Sequence, residues 1–141
     1  MKEKILDLVS EYCNEEFKPK PFNPETDRIS VGYPCYSDEE LRGAISTLLD
    51  LRLSQGPKVQ EFEKLYSEYI GTRYGVACNS GSSANLLALS VLIKSGKVKV
   101  GSEVILPATT FATVVMPILQ VGLVPRFVDV DMDTYNISIK E

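Results

Sequence analysis

Three short apolar runs, Tyr74–Asn79, Glu103–Pro107 and Pro125–Val130, alternate with two helical segments, Ser83–Ser95 and Ala112–Val121. The turns between them are short, and Gly96 and Gly122 stand where each helix would stop. Strand–helix–strand–helix–strand leaves few folds open, because consecutive strands joined through a helix run parallel and cross over right-handed. The middle run is nearly continuous in apolar character, the pattern of a strand covered on both faces. The predicted class is therefore α/β, a mostly parallel sheet with flanking helices. Ligands of such sheets sit beyond the carboxyl ends of the strands. The turns Asn79–Ser83, Pro107–Phe111 and Asp129–Asp133 are thus expected to face one crevice.

Upstream, Ile5, Leu6, Val9 and Tyr12 recur at helical spacing and predict an N-terminal helix over residues 3 to 16. Residues 17 to 35 carry Pro19, Pro21, Pro24 and Pro34 and read as an extended connector. Ser37 with Glu40 three residues on forms a capping-box signature. The helix behind it has Leu41, Ala44, Ile45, Leu48 and Leu49 on one face. Ser54–Gln55–Gly56–Pro57 breaks the pattern. A further helix from Lys58 to Ile70 presents Val59, Phe62, Leu65, Tyr66 and Tyr69, and Gly71 ends it. The expected organisation is an N-terminal helix and connector over residues 1–36, then an α/β domain over residues 37–141.

With 141 residues the chain is one domain's worth and short for a two-lobed enzyme. The net charge of −4 is spread without a basic stripe, which argues against nucleic acid and anionic membranes as partners. The longest apolar stretch, Phe111 to Val124, is interrupted by Thr113, Pro117, Gln120 and Gly122 and is too broken to cross a membrane. The first residues look nothing like a signal peptide, so a cytoplasmic location is expected. Histidine is absent, which excludes Ser–His and Cys–His nucleophilic chemistry within this chain. Three widely spaced cysteines without a C-x-x-C argue against a zinc site, and no metal is expected. Cys13 and Cys35 read as reduced thiols, and Cys78 as a small buried residue.

The densest chemistry lies in Ala77–Cys78–Asn79–Ser80–Gly81–Ser82–Ser83–Ala84–Asn85. Small residues at the start of a helix leave backbone N–H groups bare, and the serines add hydroxyl donors. Such a place attracts a phosphate. The same composition also serves plain helix capping, and the residues alone leave both readings open. Neither the P-loop lysine nor G-x-G-x-x-G is present. Asp129 and Asp131 flank Val130 and share a strand face. That spacing suits paired carboxylates or a metal, and equally a capping residue beside a solvated one.

Four blocks in order carry a family resemblance. They are Ser54–Glu63 (SQGPKVQEFE), Ser80–Ala84 (SGSSA), Gly101–Thr113 (GSEVILPATTFAT) and Gly122–Asp131 (GLVPRFVDVD). Together they resemble the DegT/DnrJ/StrS family of pyridoxal-phosphate (PLP) sugar aminotransferases, over roughly residues 30 to 138. The resemblance implies the N-terminal part of the fold-type I PLP-transferase large domain, with pyridoxal 5'-phosphate or pyridoxamine 5'-phosphate as cofactor. It assigns the cofactor phosphate to Gly81, Ser82 and Ser83, and a stacking role on the pyridine ring to Phe111. Read without the family, Phe111 is a core phenylalanine. It places Ser54, Gln55 and Gly56 near a nucleotide-sugar substrate in a homodimer or higher oligomer. Read without it, that loop is a helix–helix linker. The Asp129–Asp131 block and Thr134–Ile137 are implied to be structural. Gly101–Ser102–Glu103 departs from the family's G-D-E, a replacement a turn tolerates.

In that family the Schiff-base lysine and the ring-nitrogen carboxylate lie beyond the Thr134–Ile137 block. Lys94, Lys97 and Lys99 occupy a helix end and the following loop, the wrong place for that role. The resemblance thus implies the N-terminal portion of an enzyme, not competent alone, with no catalytic residue of its own. The leader Ile5–Tyr12 is similar to a dehydrase branch that acts on CDP-4-keto-6-deoxyhexoses with pyridoxamine phosphate and a histidine in place of the lysine. Aminotransferase and 3-dehydrase of deoxy- and amino-sugar synthesis, for surface polysaccharide, both stay open. So do a non-catalytic assembly fragment and an unrelated α/β phosphate-binding domain. An unfinished sheet exposes backbone at its edge, so association or poor solubility is expected of the isolated chain.

Overall fold

A computed structural model describes residues 1–18, 20–29, 32 and 35–140. Pro19 and Pro34 of the predicted connector lie outside the described residues. The elements run α1 (Lys2–Glu16), α2 (Asp38–Leu49), α3 (Pro57–Ile70), α4 (Gly81–Lys94), β1 (Glu103–Pro107), α5 (Ala112–Gln120) and β2 (Val124–Val128). By internal contacts the chain divides into Met1–Glu61 and Phe62–Glu141, a boundary that falls within α3.

In Met1–Glu61, α1 lies against α2. Leu6 and Cys13, two turns apart on one stripe of α1, are its buried apolar side chains. Polar contacts fix the pair. Arg42 of α2 donates to the Leu6 carbonyl at 2.8 Å and to Ser10 Oγ at 3.0 Å. Ser10 in turn donates to Asp38 at 2.6 Å, and Lys2 reaches Asp50 at 2.7 Å. The capping box forms as predicted, with Ser37 Oγ accepting from Glu39 N–H and the Glu40 carboxylate accepting from Ser37 N–H at 2.7 Å. Of the predicted apolar face of α2, Leu41 and Ile45 are half-buried, whereas Ala44, Leu48 and Leu49 are exposed. The connector is not uniformly extended: Asn23 closes a turn by accepting from the N–H groups of Thr26 and Asp27.

In Phe62–Glu141, β1 and β2 form a two-stranded parallel sheet with α5 as the crossover, in register from Glu103↔Val124 to Pro107↔Val128. Leu106, Ile118 and Leu123 make the buried core, with Leu89 and Ile93 of α4 and Val104 and Val115 packed around them. Gly122 lets the chain leave α5 at φ +76°, and Gly101 N–H then donates to its carbonyl at 2.8 Å. This much follows the predicted pattern.

Five expectations need correction. Tyr74–Asn79 is not a strand: among the described residues it has no ladder partner, so its backbone turns to α3 instead. Ala77 N–H donates to the Glu63 carboxylate at 2.8 Å, and Gly75 lies so close that a Cβ there would stand 2.8 Å from the Glu63 carbonyl oxygen. β1 is not covered on both faces. Its register puts Glu103 and Ile105 beside Val124 and Arg126, and Ile105 is 65% exposed because, among the described residues, helices pack only on the opposite face. Glu103 and Arg126 pair across that open face. Cys78 is exposed, since the run that carries it is not built into the sheet. Tyr135, at φ +57° and 77% exposed, is not packed. The apolar face predicted for α3 is open as well: Phe62 and Tyr66 stack on each other at 5.6 Å, while the buried side chain of this helix is Ser67.

Candidate functional site

Ser80 ends an extended segment (φ −162°, ψ 161°) and caps α4: its Oγ accepts from Ser83 N–H at 3.2 Å, and its hydroxyl reaches Ser83 Oγ at 3.2 Å. Ser80 O accepts from Ala84 N–H. Helix capping at this turn therefore falls to Ser80. Gly81 and Ser82 belong to the first turn of α4, two residues earlier than the sequence pattern placed the helix start. Among the described residues, their N–H groups and the Ser82 hydroxyl have no hydrogen-bond partner. That is a donor set of three at the positive end of a 14-residue helix. Ser83 differs from its neighbours, because both its N–H and its hydroxyl are engaged by Ser80.

Ser82 and Ser83 open onto a groove of about 360 Å³ between α4 and α5, whose far wall includes Ala112, Thr113 and Met116. The two helices pack against each other, and Asn85 of α4 donates through Nδ2 to the Thr113 carbonyl at 3.3 Å. Phe111 is the N-cap residue of α5, extended (φ −79°, ψ 142°), with its side chain 74% exposed. It is not the core phenylalanine that its position near a strand end would suggest, and it does not line the groove. The structure thus brings Ser82 and Ser83 to the same groove as the residues that follow Phe111. The turn at Asp129–Asp133 is not part of that groove, contrary to the expectation of one crevice for all three turns.

Asp131 is committed locally. Its carboxylate accepts from the N–H groups of Thr134 (2.9 Å) and Asp133 (3.1 Å) and from the Thr134 hydroxyl (3.1 Å). These bonds, the Thr134 backbone first, hold its pKa below the usual aspartate value. Asp129 accepts from Val130 N–H at 2.8 Å. The Asp131 carboxylate closes a turn, and that of Asp129 is held by the adjoining N–H. Among the described residues no group of three metal-ligating side chains is assembled, and no helix is long and apolar enough to cross a membrane.

Within Met1–Glu61, Ser54 and Gly56 line a cavity of about 440 Å³ together with Arg42, Asp50, Arg52 and Lys58; Gln55 does not reach it. Lys58 also pairs with Glu61 at 2.8 Å, an exposed contact that lowers the Glu61 pKa. The sequence reading singled out the loop but not Arg42 or Arg52, whose approach to it depends on how α2 packs. Asn85 was also missed. It has no motif of its own, and only the packing of α4 on α5 gives it a partner.

Residues 34–141 match the DegT/DnrJ/EryC1/StrS aminotransferase family, and the chain belongs to that family. It is 43% identical over 142 residues to the lipopolysaccharide biosynthesis protein RfbH of Salmonella typhimurium, covering 98% of this chain and 32% of that protein. To the GDP-4-keto-6-deoxy-D-mannose 3-dehydratase of Yersinia pseudotuberculosis it is 40% identical over 118 residues, covering 79% and 30%. Among solved structures, the E. coli GDP-4-keto-6-deoxy-D-mannose-3-dehydratase with bound hydrated PLP superposes with a TM-score of 0.73 at 34% identity, covering 78% of this chain and 29% of that one. The chain therefore spans about 30% of the length of these relatives. Its fold is that of the N-terminal part of the fold-type I PLP-transferase large domain.

Proposed function

We propose that this chain supplies the cofactor-holding front part of a PLP- or pyridoxamine-phosphate-dependent enzyme acting on a nucleotide sugar, in the synthesis of deoxy- or amino-sugars for surface polysaccharide. The 3-dehydratase branch is the first reading, because RfbH and the dehydratases are similar to it over most of its length. Sugar transamination is the second, supported by the family as a whole. The observation that carries the proposal is the free donor set of Gly81 N–H, Ser82 N–H and Ser82 hydroxyl at the start of α4, with the aromatic face of Phe111 open at the start of α5.

The donor chemistry fits a phosphate monoester. Backbone N–H groups at a helix start bind a dianion without the desolvation cost of a buried lysine. Ser83, already bonded to Ser80, holds the turn in shape, so Gly81 and Ser82 are the phosphate contacts. Phe111 lies free to cover one face of a flat heteroaromatic ring and exclude water from it. The bound cofactor supplies an electron sink for bonds broken next to its amine. This chain binds and orients it. Lys94 sits in the last turn of α4, about 20 Å along the helix from Gly81, and cannot reach such a ring. Ser54 and Gly56, with Arg52 and Lys58 beside them, form the part we assign to the nucleotide sugar, whose diphosphate suits two cations. We assign residues 37–141 to the cofactor domain and residues 1–36 to a leader, and we take the working state to be a homodimer or larger.

Titrating the chain with pyridoxamine 5'-phosphate, followed by its fluorescence, tests the assignment. Ser82→Ala is expected to weaken binding about ten- to hundredfold, the scale of one charge-assisted hydrogen bond. Phe111→Ala should weaken it about two- to tenfold, the scale of one aromatic contact. Affinities unchanged in both variants would remove the site.

A further inference from the structure

Pro117 stands inside α5 and is fully buried. Without an N–H, it cannot donate to the carbonyl four residues back, which is that of Thr113. That carbonyl is the one to which Asn85 donates at 3.3 Å from the neighbouring helix. An orphaned helical acceptor and a side-chain donor from α4 thus meet, about one turn into α4 and half a turn into α5 from the two functional ends. Asn85 is four residues beyond Gly81, and Thr113 is two beyond Phe111.

We propose that Asn85 is a positioning residue that locks the phosphate cradle of α4 to the ring-stacking Phe111 of α5, with Pro117 creating the acceptor it needs. The inference rests on the cofactor reading above and adds a residue that makes no contact with the cofactor. A ligand that spans both ends, a phosphate on one side and a ring on the other, depends on their separation. A ligand that uses only the α4 end does not. Among the described residues no other hydrogen bond joins α4 to α5, and Leu89 and Ile93 of α4 pack on the apolar core that includes Ile118 of α5. Apolar packing tolerates sliding of one helix along the other, and a directional bond to a single carbonyl does not.

The test is a double-mutant cycle on the 141-residue chain with two probes, pyridoxamine 5'-phosphate and inorganic phosphate. Asn85→Ala is expected to weaken pyridoxamine phosphate about fivefold, the worth of one neutral hydrogen bond, and inorganic phosphate less than about twofold. In the Pro117→Ala background an alanine N–H returns to satisfy Thr113 within α5. There Asn85→Ala should have less than about a twofold effect on either probe. Equal loss of both probes in Asn85→Ala would mean damage to α4 itself and overturn the proposal. So would an effect of the same size in both backgrounds. Should Asn85→Ala alone fail to fold, the double variant decides: pyridoxamine phosphate binding matching Pro117→Ala supports the lock, and binding about fivefold weaker than Pro117→Ala overturns it. A wild-type chain that binds pyridoxamine phosphate no tighter than inorganic phosphate, unaffected by Phe111→Ala, would instead sink the cofactor reading.

Discussion

In Met1–Glu61 two helices meet around an arginine that reaches a backbone carbonyl, a hydroxyl and a carboxylate, with Leu6 and Cys13 as the buried apolar side chains. In Phe62–Glu141 a parallel strand pair and two helices meet around Leu106, Ile118 and Leu123, and polar contacts close turns, cap α4 and tie Asn85 to Thr113. The first arrangement is directional and partly wet; the second is apolar and close-packed. The difference bears on the candidate sites. The candidate cofactor groove is framed by helices anchored in an apolar core, which holds their positions. The cavity at Ser54 and Gly56 is walled by the same charged side chains that hold its own helices together.

The comparison can be broken at its strongest point first. Leu106→Ala removes a side chain 2% exposed at the centre of the core and is expected to cost about 2–5 kcal/mol. Denaturant unfolding followed by hydrogen exchange should show the loss in Phe62–Glu141. A change below about 1 kcal/mol would mean that apolar packing does not hold this unit. Arg42→Ala should cost less, about 1–2 kcal/mol, because its bonds exchange partly with water. It should also blunt the response of Met1–Glu61 to salt, since the Arg42 pairs with Asp7 and Glu3 are screened as ionic strength rises. An unchanged salt response would deny Arg42 its part.

The smallest effect is the response to acid. Bonds from Ser37, side chain before backbone, hold the Glu40 pKa below its ordinary value, as those from Thr134 do for Asp131. A carboxyl whose pKa is lowered by folding contributes stability that is full above its unfolded value and fades as pH falls through the folded one. Amide exchange at the start of α2 and in the Asp131–Asn136 turn should therefore speed up as pH drops below the usual carboxylate range, with corrections for intrinsic rates. Glu40→Gln and Asp131→Asn should each flatten that dependence in their own segment alone.

Local signals were readable where a residue type and its neighbours within four positions determine the outcome. Ser37 and Glu40 cap α2, Gly122 stops α5, and the Glu103–Pro107 strand has the bounds its sequence suggested. The four motif blocks placed the chain in its family, because small and aromatic residues at set spacings survive as a linear pattern. Tyr74–Asn79 misled for the opposite reason. Its apolar alternation suits a strand, but a strand exists only through a partner, and the run binds Glu63 of α3 instead.

By itself the sequence determined which segments coil, where they stop and which turn offers free donors, since these depend on backbone sterics and on bonds spanning a few residues. Tertiary structure decided which face of β1 is covered, that Phe111 stands exposed, and that Asn85 finds the carbonyl Pro117 leaves open. Those outcomes need groups 20 or more residues apart to meet, and pairing and packing at that range are set by the fold as a whole.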